Sequence, residues 1–96
     1  MTTESLRSIA QDLRELRRHM SDWNAVGKEL DRIAWLIVPS DFRNPASRDL
    51  GRMRANLRAA AELCIHAPGS ARGYLDGVIG EVELLASRLE RQGETK

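Results

Sequence analysis

From Leu6 onward the apolar residues recur every three or four positions: Leu6, Ile9, Leu13, Leu16, Met20, Trp23, Gly27, Leu30, Ala34 and Ile37, with Gly27 the only interruption. That spacing keeps one face of a helix against a core and is incompatible with a strand, whose side chains alternate with a period of two. Residues of about 3 to 38 therefore read as one long amphipathic helix or two in register. Ser21 and Asp22 are good capping residues, which permits a bend near residues 20 to 24. A reversal needs about two or more linking residues, and the seam crosses this point unbroken, so a continuous or bent helix is expected.

Two further seams follow. Val38 precedes Pro39 and is biased away from helical backbone, and the residues from Pro39 to Asn44 read as the one substantial loop. Asn44 is expected to cap the next helix, with Pro45 at the first helical position, where a missing N–H leaves no bond unmade. Its seam is Ala46, Leu50, Met53, Leu57, Ala60, Cys64 and Ala67. Pro68 and Gly69 end it, and Ser70 is expected to cap a last helix with the seam Ala71, Leu75, Val78, Val82, Leu85 and Leu89. So short a link implies an antiparallel hairpin. The expectation is an all-α, antiparallel helical bundle in a single domain, residues 1–96. Its helices run over about 3–38, 45–67 and 70–92, a long N-terminal helix followed by a C-terminal hairpin.

Composition removes several classes of function. A chain of 96 residues has room for one domain. Its 42% hydrophobic content and net charge of +1 exclude a disordered chain, and one cysteine excludes a disulfide framework. The longest apolar run, Ile33 to Val38, is six residues against the roughly 20 that span a bilayer. No apolar stretch stands at the N-terminus, so neither a secretory signal nor a membrane partner is expected, and the expected location is cytoplasmic. Thirteen arginines against two lysines is what GC-rich coding produces, which points to a bacterial or phage-type source more than to nucleic acid.

The candidate partner surfaces are the residues the seams leave over. A straight N-terminal helix of about 50 Å beside hairpin helices of about 33 Å leaves an overhang, so the helix either bends over the hairpin or meets a second chain. Ile33 to Val38 is apolar all round, so it must be covered on more than one side; Trp35 and Leu36 point away from the seam, to be covered by the loop from Pro39 to Asn44 with Phe42 or by a partner. In the last helix Gly73, Gly77, Gly80 and Leu84 share the face opposite Leu75, Val78 and Val82. Each helical glycine costs about 0.8 to 1 kcal/mol relative to alanine, and together they would let another helix approach closely. Trp35, Leu36, Gly73, Gly77, Gly80 and Leu84 are thus the expected partner-binding set. They belong to a non-catalytic interaction module, self-associating as a homodimer or docking on a larger assembly.

Two rival readings have residues of their own. Arg43, Arg48, Arg52, Arg54 and Arg58 face one acid, Asp49, in that stretch. Such a patch suits a phosphate backbone in an accessory subunit or inhibitor of a nucleic-acid machine, or an acidic protein surface. It has no interleaved aromatics for base stacking, and the hairpin is unlike a helix-turn-helix, so nucleic acid ranks second. Glu15 with His19 and Glu62 with His66 each stand four apart, a spacing that shares a helix face and suits metal ligands. The two pairs face different directions relative to the seams, so no metal site is expected. Cys64 lies on a seam as a small core residue, no catalytic constellation or phosphate-binding glycine loop is present, and no cofactor is expected.

Overall fold

A computed structural model describes residues 2–19 and 21–92. They form four α-helices, α1 (Thr3–Arg18), α2 (Trp23–Ala34), α3 (Ala46–His66) and α4 (Pro68–Gln92), with a short 3-10 turn at Pro39–Asp41. The protein is an all-α bundle. The stretch expected as one N-terminal helix is two.

The division is built by local hydrogen bonds. α1 opens with the Thr2 hydroxyl accepting the Ser5 N–H at 3.2 Å and closes at His19, whose N–H donates to the Leu16 carbonyl. Ser21 N–H then donates back to the His19 carbonyl at 2.9 Å, and the Asp22 carboxylate accepts the Ala25 N–H at 3.3 Å to start α2. An aspartate at this position satisfies a helix N–H that would otherwise lack a partner. Met20, which the periodicity assigns to the seam, lies outside the described residues.

Cross-helix pairs give the directions. Arg7 pairs with Glu90, Arg14 with Glu83 at 2.6 Å and Arg17 with Asp76 at 2.8 Å, so α1 runs antiparallel to α4. Gly27 lies against Ala61 and Cys64, and Asp31 pairs with Arg58, so α2 runs antiparallel to α3. Ala67 alone separates α3 from α4 and reverses the chain again. The chain therefore turns back between α1 and α2. Packing proceeds from α1 to α4 to α3 to α2, α1 and α2 touch only lightly, and α2 and α4 lie diagonally, meeting where the Arg72 guanidinium stands 5.3 Å over the Trp23 ring at their N-terminal ends.

This arrangement removes the expected overhang. The 25 residues of α4, about 37 Å at 1.5 Å each, account for the longest dimension of 38 Å, and the 16 residues of α1 lie alongside. An apolar stripe records which face is buried, and that face is the same whether the next helix continues outward or folds back over the same core.

Leu6, Leu13, Leu30, Ile33, Ile37, Leu50, Leu57, Leu75 and Leu89 are fully buried, and among the described residues no polar or charged side chain joins them. Each such leucine or isoleucine contributes about 1.5 to 3 kcal/mol by leaving water. α2 stops at Ala34 because Leu36 and Ile37 donate to the carbonyls three residues back, tightening the last turn, and Val38 before Pro39 is extended. Ile37 still reaches the core from non-helical backbone, as does Phe42, while Trp35, Leu36 and Val38 stay outside.

Two helix starts differ from expectation. Pro45, and not Asn44, occupies the cap position of α3, because the Asn44 amide oxygen accepts the Ser47 hydroxyl at 2.6 Å and no backbone N–H. α4 begins at Pro68, ahead of Ser70, with the Ala67 carbonyl accepting from Ser70 and Ala71. Proline at the first helical position needs no partner for an N–H.

Gly27, the one gap in the seam, is explained by contact. A Cβ there would stand 3.1 Å from the Ala61 carbonyl oxygen and 3.5 Å from the Cys64 Cβ, so α2 rests directly on the α3 backbone. Gly27→Val is expected to destabilise the fold by about 1 to 3 kcal/mol through overpacking, read as a lower urea midpoint at unchanged slope. An unchanged midpoint would show that α2 does not sit at this depth.

Candidate interaction surfaces

Trp35 follows the last helical residue of α2 and is 54% exposed. Its indole lies beneath two guanidinium groups, 5.1 Å from Arg54 and 4.8 Å from Arg58. These arginines are four residues apart and so share one face of α3. Each has a second anchor: Arg54 donates to the Ile37 carbonyl at 3.4 Å, and Arg58 pairs with Asp31 at 3.5 Å. Cation–π contacts at exposed sites contribute about 0.5 to 1 kcal/mol, enough to bias the rotamer of a half-exposed indole. Trp35 and two of the five arginines, which the sequence kept apart, thus form one surface.

Leu36 belongs elsewhere. With Val38 it borders a shallow groove against Ser5, Ser8, Ile9 and Asp12 of α1. Gly73, Gly77, Gly80 and Leu84 lie on α4, at the corner opposite α2, so the six expected partner-binding residues divide among three surfaces. A Cβ built at Gly73, Gly77 or Gly80 meets nothing within 4 Å, and Leu84 is 72% exposed.

The basic stretch also divides. Asp49 pairs with Arg52 at 3.3 Å and with Arg88 of α4 at 3.2 Å, tying α3 to α4. Arg54 and Arg58 turn towards α2, while the exposed side chains of Arg43 and Arg48 make no ion pair among the described residues. The five do not line a single track. Glu15 pairs with Arg18 at 3.5 Å, and among the described residues no three His, Cys, Asp or Glu side chains converge as metal ligands.

A groove of about 550 Å³ between α2 and α3 was not apparent from the sequence. Gly27 and Ala61 set its floor; Lys28 and Asp31 on one side face Ala55, Arg58, Ala59, Glu62 and Ile65 on the other. Ile65 is 64% exposed at one end. The available signal was Ile65 standing beside the seam residue Cys64, out of phase with the core.

Cys64 is buried, and burial pushes its thiol above the ordinary range. Its neutral form therefore favours the fold below the ordinary thiol pKa, a contribution lost as pH rises through the higher folded value. Among the described residues no helix is long and apolar enough to cross a membrane. Comparison of the chain with protein-family models, with curated proteins and with solved structures finds no match.

Two measurements check these placements. Replacing Gly73, Gly77 and Gly80 by alanine should stabilise the protein by about 2 to 3 kcal/mol in total, because each gains helix propensity without a clash; a loss would mean that the face is closely packed. Cys64 should react with a thiol reagent at the rate of global unfolding, and prompt reaction in native buffer would contradict its burial.

Proposed function

We propose that this chain is a non-catalytic, cytoplasmic protein–protein interaction module whose docking surface is the α2–α3 face around Trp35. The observation that carries the reading is an indole that is half exposed yet held under Arg54 and Arg58. Tryptophan is enriched among residues that dominate binding energy, and a side chain already ordered loses less freedom on association. The adjoining groove offers small residues at its floor and charges of both signs at its walls. A second copy of the chain or a larger bacterial or phage-type assembly fits such a surface.

The division of the arginines favours this reading over nucleic acid. Arg52 and Arg58 are paired with carboxylates, and Arg54 is stacked on Trp35. Phosphate binding at these positions would compete with those contacts.

The test is affinity purification of tagged chain from its native cells. Wild type should retain a stoichiometric protein, its own untagged copy included, and Trp35→Ala should reduce that retention at least about tenfold while leaving the circular dichroism spectrum unchanged. Retention unaffected by Trp35→Ala, or retention of nucleic acid that falls steeply with salt, would contradict the proposal.

A further inference from the structure

The strip of α3 that borders the groove is Ala55, Arg58, Ala59, Ala61, Glu62 and Ile65. A second α3 laid antiparallel on it, with the two-fold axis level with Ala60, brings Ala55 level with Ile65 and Arg58 with Glu62. Each pairing occurs twice, as an isologous interface requires. A large residue meets a small one, and a cation meets an anion. That the face of a helix maps onto itself is geometry. That its chemistry becomes complementary on doing so is a property of these residues.

The α2 rim and Trp35 agree with the same axis. Asp31 pairs with Arg58, and Lys28 lines the groove beside Gly27, which rests on Ala61. The axis therefore gathers Asp31 and Arg58 of one copy with Lys28 and Glu62 of the other, two cations and two anions. Trp35, over Arg54 and Arg58, comes level with Ile65 of the second copy, so two of the exposed apolar side chains, 54% and 64% accessible, cover each other. The four charged groove residues sum to zero, which suits a second copy better than a strongly acidic or basic ligand.

From this complementarity we infer that the α2–α3 groove is a homodimer interface, in which α3 packs antiparallel on α3 of a second copy about an axis at Ala60. The inference rests on the interaction-module reading and names its partner. Arg58→Glu alone places a glutamate opposite Glu62 in both pairs, and Glu62→Arg alone places an arginine opposite Arg58 in both. A mixture of the two variants matches both pairs again.

Sedimentation velocity at up to about 100 µM reads the outcome. Wild type should be a dimer, each single variant a monomer, and their equimolar mixture a dimer. Ile65→Glu, at a solvent-exposed site, should weaken the dimer at least about tenfold and carries the test should either charge variant fail to fold. A monomeric wild type, single variants that dimerise as wild type does, a mixture that stays monomeric, or a dimer lost with Leu84→Glu and kept with Ile65→Glu would each overturn the inference. A monomeric wild type that still retains a different protein through Trp35 would leave the interaction-module reading standing; loss of both results would remove both.

Discussion

The chain reversal between His19 and Asp22 decides which helices meet. It lays α2 antiparallel on α3, and only in that arrangement does the end of α2 arrive beside Arg54 and Arg58. Asp22 supplies the local condition by capping α2. Gly27 supplies the long-range one, because the missing side chain lets α2 settle on the Ala61 carbonyl and sets the height at which Trp35 meets the guanidinium groups. A continuous helix would carry the same seam and produce neither the groove nor the stacked indole.

Electrostatics and burial divide the remaining work. The core is apolar throughout the described residues, so burial supplies the cohesion. The pairs Arg7 with Glu90, Arg14 with Glu83 and Arg17 with Asp76 are solvent-exposed and add little stability, but each matches only one register of α1 on α4. Arg58 has a wider role: it pairs with Asp31, covers Trp35 and walls the groove.

The sequence made the helical class, the loop after Val38 and most core positions legible, because hydrophobic period and punctuation are local signals. The direction of α2 was hidden, because stripe phase does not distinguish a bend from a reversal. Trp35 was recognisable as left over from the seam, but its arginine neighbours lie about twenty residues away in the chain and required the fold. Leu36 and the Gly73 to Leu84 face appeared to belong with Trp35 because all were off-seam; α4 being diagonal to α2 separates them. The groove is not legible in the sequence because alanines and a glycine carry no motif.

The distance between α1 and the end of α2 tests this architecture most directly. Spin labels replacing Ser8 and Leu36, in a Cys64→Ala chain, sit on residues that line the same groove. With helix axes about 10 Å apart, electron–electron resonance should give a distance below about 25 Å. A straight helix over the same 28 steps would separate them by about 42 Å, and a distribution centred there would contradict the reversal and the α2–α3 surface that follows from it.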